Sequence, residues 1–139
     1  MFNCKKDDPK LIPLLVKYGT SFGMCVGYCN NNITLQPGVV TYTRQGNSGT
    51  PSPITCTGTL DENSWNSIKT GLNVTTFFNL PETIGCPDCA DGGAEWIEIT
   101  LINGETHKVV FEYNNAPAPL NDYSIVLRSL MSTSEENCP

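Results

Sequence analysis

Two short cysteine pairs, Cys86-Pro-Asp-Cys89 and Cys25-x3-Cys29, are the residues whose spacing most invites chemistry. A Cys-x-x-Cys pair is the spacing of a dithiol redox site, which normally sets its first thiol at a helix N-terminus so that the dipole favours thiolate. Here Ala-Asp-Gly-Gly and a strand-like run follow Cys89, so no helix is offered. Asp88 and Asp91 would moreover disfavour a neighbouring thiolate. The composition of the motif therefore favours a structural disulfide over a redox enzyme built on Cys86 and Cys89. The two pairs together could form a four-thiolate zinc site, but the spacing of the first is loose for a zinc knuckle. Asp88, Asp91 and Glu95 are candidate calcium ligands, yet they lack the alternating Asp/Asn pattern of an EF-hand loop and read as a solvated turn. His107, the sole histidine, falls on the apolar side of a strand and has no Gly-x-Ser-x-Gly elbow to serve. Glu82, Glu95, Glu98 and Glu112 could supply a carboxylate pair for glycoside cleavage, but nothing in their spacing fixes a separation. No catalytic set converges, and the expectation is a non-catalytic protein without cofactor or resident metal.

The chain has seven cysteines. With Cys4 set aside, Cys25, Cys29, Cys56, Cys86, Cys89 and Cys138 can close three disulfides, in about fifteen possible connectivities. Bridges within the two short pairs and bridges between them are both open at this level. A small, cysteine-rich acidic chain suits an oxidising compartment, which also argues against zinc.

Cys4 stands in Met-Phe-Asn-Cys-Lys-Lys-Asp-Asp, which resembles the processing site of a bacterial lipoprotein, although Asn3 occupies a position where a small residue is usual. The run Lys6-Asp7-Asp8 resembles the export signal that sends Bacteroidota lipoproteins to the cell surface. The resemblance implies a membrane partner through a lipid anchor at Cys4. It also implies an outer-membrane location on the extracellular face, with the periplasmic face as the alternative. The net charge is −6, and no cluster of Lys or Arg exists beyond Lys5-Lys6. Phosphate backbones demand concentrated positive charge, so nucleic acid is excluded as a partner. No apolar run approaches the roughly 18 residues that span a bilayer.

The elements that must hold these cysteines follow from hydrophobic period. Residues 1–13 read as lipoprotein N-terminus and tether, 14–132 as a single α+β domain, and 133–139 as a C-terminal tail. Val16 to Tyr18 suggests an edge strand. Ile33-Thr-Leu-Gln and Val39-Val-Thr-Tyr-Thr-Arg alternate about Pro37-Gly38, and pairing Gln36 with Val39 puts Ile33, Leu35, Val40 and Tyr42 on one face. Gln45 to Pro53 is a loop by composition. Thr59-Leu-Asp-Glu62 resembles a capping box ahead of a helix at 61–70 that carries Trp65 and Ile68, with Gly71 at its end. Trp96 to Leu101 and Thr106 to Tyr113 form a second hairpin. A three-residue loop with Gly104 left-handed gathers Ile97, Ile99, Leu101, His107, Val109, Phe111 and Tyr113 on one face. It also sets Glu98 opposite Lys108. Leu120 to Met131 closes the chain as an amphipathic helix. The order is ββαββα, an antiparallel sheet with both helices on one face, stapled by disulfides.

The segment Tyr18-Gly-Thr-Ser-Phe-Gly-Met-Cys-Val-Gly-Tyr28, with the hairpins and helix that follow, resembles an uncharacterised domain family of small Bacteroidota lipoproteins. That family carries an aromatic-Gly-x-Cys segment before its first hairpin. The resemblance spans roughly residues 15–131 and implies fold and location but no activity. The expected role is binding or assembly at the cell envelope, with an envelope protein as partner. A peptidase-inhibitor-like binder, contacting through a loop such as Gln45–Pro53, is the alternative on topology alone. A redox or metal-dependent enzyme using Cys86 and Cys89 is the second alternative.

Overall fold

A computed structural model describes residues 11–139; Cys4 and the rest of residues 1–10 lie outside the described residues, while Pro13, expected to end the tether, begins the first strand. Six strands, β1 (Pro13–Ser21), β2 (Asn30–Gln36), β3 (Val39–Gln45), β4 (Ile54–Thr59), β5 (Ala94–Leu101) and β6 (Thr106–Glu112), form one antiparallel sheet in the order β4-β3-β2-β1-β5-β6. Helices α1 (Glu62–Thr70) and α2 (Val74–Phe78) connect β4 to β5, and α3 (Asn121–Glu136) closes the chain.

The α+β class and the antiparallel sheet agree with the sequence reading. The ββαββα order does not, because β1 and β4 add a strand on either side of the first hairpin and α2 adds a short helix. The strand expected at an edge around Val16 is instead central, paired with β2 on one side and β5 on the other. Both hairpin registers hold. Ile33 faces Tyr42 and Leu35 faces Val40. Glu98 faces Lys108, and Gly104 is left-handed at φ 93° in a three-residue loop closed by the Leu101 N–H donating to Glu105 O at 2.8 Å. The helix at 61–70 is present, but Asp61 rather than Thr59 caps it, accepting from the Ser64 N–H at 2.7 Å. Thr59 belongs to β4, so the capping box was displaced by two residues.

Alternation decides which face is dry. Val16, Tyr18, Ile33, Leu35, Tyr42, Ile97, Ile99, Val109 and Phe111 share one side of the sheet and are buried. Trp65 and Ile68 of α1, Phe77 of α2, and Leu120, Tyr123 and Leu127 of α3 cover them in one continuous core. Polar tips inside this core find partners. The buried Tyr123 hydroxyl donates to Ile68 O at 2.7 Å, tying α3 to α1, and burial pushes its phenol pKa upward. His107 sits against Phe77 and Phe78, and its Nε2 lies 2.8 Å from Leu80 O. A carbonyl only accepts, so that nitrogen carries the proton.

Among the described residues the opposite face of the sheet has no helix on it; it is rich in threonine, a residue whose β-branch suits a half-exposed strand. Trp96 lies across it on the backbone of Gly19, where a Cβ would come within 2.4 Å of the indole. Residues 133–136 continue α3 rather than forming a tail, and Cys138 is buried and bonded to Cys56 of β4.

That bond spans 82 residues, against 4 for Cys25–Cys29. Loop-closure entropy therefore predicts that opening Cys56–Cys138 by paired serine substitution costs about 4.5 kcal/mol, and opening Cys25–Cys29 about 2 kcal/mol. Urea denaturation of the two variants measures the difference.

Candidate functional site

All six cysteines inside the domain are joined: Cys25–Cys29, Cys56–Cys138 and Cys86–Cys89. Both short bridges sit at the same end of the sheet. Each strand boundary there, Ser21, Asn30, Gln45, Ile54, Ala94 and Glu112, opens into a loop. Three of these loops, residues 22–29, 46–53 and 82–93, are stitched together by side chains. Asn47 accepts from Asn30 Nδ2 at 2.9 Å and donates from its own Nδ2 to Phe22 O and Gly23 O, both at 3.1 Å. Asp88 accepts from the Gly23 N–H at 3.2 Å and the Gly93 N–H at 3.1 Å. Glu112 accepts from the Cys86 N–H at 2.9 Å and from Asn115 Nδ2 at 3.0 Å, and these bonds hold its carboxyl below the usual glutamate range. Phe22 packs on Gly93 so closely that a Cβ there would lie 2.3 Å from the ring. At φ 86° and under an aromatic ring, position 93 accepts only glycine.

Beneath the loops lies one buried charge. Glu95, with no exposed surface, accepts from the Tyr18 hydroxyl at 2.6 Å and the Asn114 N–H at 2.9 Å. Arg128 Nη2 of α3 donates to its two carboxylate oxygens at 2.9 and 3.0 Å. Arg128 also donates from Nη1 to Asn114 Oδ1 at 3.0 Å, and its guanidinium stacks over Tyr113, whose ring meets Phe22 edge-on. Burial, then the hydrogen bond to Glu95, raises the Tyr18 phenol far above its ordinary value. Every lone pair direction of the carboxylate has a donor, the condition under which a buried ion is tolerated.

The calcium candidates are thereby separated. Asp88 is bonded to loop backbone, Glu95 turns into the core, and no group of three metal-ligating side chains occurs among the described residues. The cysteines expected as an alternative zinc set are each paired locally. Cys86 and Cys89 are exposed, and Asp88, between them, is left-handed. Residues 79–93 contain no Lys or Arg to stabilise a thiolate. Asn47 ties the Gln45–Pro53 loop to Phe22 and Gly23, while Ser48, Gly49, Thr50, Ser52 and Pro53 stay exposed. The neighbouring loop carries exposed apolar side chains. Met24 is 77% exposed, Val26 fully exposed and Tyr28 39% exposed, all within or beside the five-residue ring closed by Cys25–Cys29.

Sequence reasoning placed Glu95 in a solvated turn, although it shares strand parity with Ile97 and Ile99. That parity was the available signal for an inward carboxylate. No signal pointed to Arg128 as its partner except its position beside Leu127 in an otherwise apolar stripe.

Compared with known proteins, the chain matches no family model and no curated protein.

Two outcomes are expected. Arg128→Met leaves Glu95 as an unpaired buried charge and lowers stability by about 3 kcal/mol in urea titration. The raised Tyr18 phenol means that the folded state holds its proton longer than the unfolded chain does. Its contribution is therefore intact below the unfolded value, about pH 10, and is lost as pH climbs from there toward the folded value. Stability monitored by near-UV circular dichroism should fall above that pH, and less so in Tyr18→Phe.

Proposed function

We propose that this protein is a non-catalytic binding module of the cell envelope, held to the outer membrane through a lipid on Cys4 and contacting its partner with the disulfide-clamped loop end. The observation that carries the reading is Met24 and Val26 standing in solvent on a cross-linked ring. Exposed apolar side chains gathered on one short loop mark a candidate interaction surface, and a cross-linked ring beside them keeps them presented. Preorganisation of this kind lowers the entropy cost of association. The position of the ring supports the same reading. β1 enters at Pro13, where the tether would join, and reaches the loop end after nine residues, a distance of about 26 Å at strand rise. An anchor at Cys4 would therefore face the loop end away from the bilayer.

The partner's chemistry follows from charge. Residues 22–29, 46–53 and 113–120 have no charged side chain, and 79–93 adds only Glu82, Asp88 and Asp91. An apolar prong with a carboxylate rim suits a protein surface with an apolar pocket bordered by Lys or Arg. A peptidase is one such partner, and its recovery would favour the inhibitor reading.

Metabolic labelling with a fatty-acid analogue should mark the wild-type protein and fail to mark Cys4→Ala; equal labelling sinks the anchor. A photo-crosslinking residue at Val26 should capture a discrete envelope protein. Val26→Asp with Met24→Ser should weaken that complex about 30-fold, the effect of losing a 2 kcal/mol hot spot. Unchanged affinity would remove the loop from the interface.

A further inference from the structure

The two edges of the sheet are treated differently. The β6 edge is covered, with Ile84 N–H donating to Val110 O at 2.9 Å and Val110 N–H to Glu82 O at 2.8 Å. Among the described residues, the β4 edge has only β3 beside it. Hydrogen-bond parity tells which groups it exposes. Leu60 N–H donates to Gly38 O at 3.2 Å, in register with the β3–β4 ladder. Alternation then makes Val40–Gly58, Tyr42–Cys56 and Arg44–Ile54 the bonded pairs. The N–H and C=O groups of Thr55, Thr57 and Thr59 are left pointing away from the sheet.

Natural edges are guarded by lysine, proline, bulges or covering segments. Among the described residues the strand Ile-Thr-Cys-Thr-Gly-Thr has none of these, and Cys56–Cys138 ties it to the segment that follows α3. Its sequence is also complementary to itself. Antiparallel pairing about a two-fold axis at Cys56 sets Thr55 against Thr57 of the second copy and Ile54 against Gly58, each twice. Both threonine pairs are of the outward-bonding parity, so the new ladder forms without a shift. Ile54 is half-buried, whereas at Gly58 an added Cβ would meet only Val40, at 3.5 Å. A cavity of about 220 Å³ opens beside Gly58, walled in part by Val40, Leu60 and Leu130.

We propose that two copies of this chain pair through β4, extending the sheet across the two-fold and seating Ile54 of each copy over Gly58 of the other. An isologous contact requires this kind of self-complementarity. The absence of charge on β4 removes the usual barrier to it.

Sedimentation velocity over about 1 µM to 1 mM, the range for small interfaces, should show the mass doubling. Thr57→Pro, which removes an N–H that β3 does not use, should leave a monomer. Should that variant not fold, the charge variants carry the test, because Thr55 and Thr57 side chains face solvent. T55K/T57K alone and T55E/T57E alone should each be monomeric, with wild-type near-UV spectra, and an equimolar mixture should recover the dimer. A wild-type monomer throughout the range, a lysine variant that still dimerises, or a mixture that stays monomeric overturns the proposal.

Discussion

The buried carboxylate of Glu95 is the interaction on which the arrangement of the molecule turns. It draws a strand, a helix and a loop to a single point: Tyr18 from β1, Arg128 from α3 and Asn114 from the segment after β6. Taken alone, an ion in such a position costs several kcal/mol in lost hydration. With each oxygen saturated by donors it instead fixes where α3 lies and how the chain leaves β6. The hydrophobic core would accept α3 at several small displacements, because apolar contact is not directional. The ion pair accepts one.

What that pairing supports is the loop end. Arg128 stacks over Tyr113, Tyr113 packs on Phe22, and Phe22 lies on Gly93. These contacts carry the position of α3 outward to the base of the Cys25–Cys29 ring. The two short disulfides add less to global stability than the long one, since they close small loops, but they limit the conformations of the segments they close. The long bridge does the opposite work, clasping the last residues of the chain to the far side of the sheet. Local bridges shape a surface, and one distant bridge holds the fold.

The hairpins were legible because alternation and turn chemistry agree there. Pro37-Gly38 marks a two-residue turn, and Gly104 a three-residue one whose register keeps Lys108 and Glu112 off the face of Ile97 and Ile99. β1 was misread as an edge because Leu14-Leu15-Val16 is apolar without alternation, and a run of that kind does not say how many neighbours it has. β4 was missed because its threonines give no hydrophobic period; its place comes from pairing with β3, a tertiary effect. In the site, cysteine parity anticipated that six thiols would pair, yet could not choose partners among them. Glu95 was misplaced because a carboxylate is read as solvated until its counter-ion is known, and Arg128 lies 33 positions away. Cys4 lies outside the described residues, so the anchor stays a proposal from sequence.

Presentation of Met24 and Val26 to a partner requires the Cys25–Cys29 ring to be rigid. Backbone ¹⁵N order parameters for Met24 to Tyr28 measure this directly. A rigid ring gives values of about 0.85, as in the strands; values below about 0.6 would mean a mobile loop and contradict the presenting role.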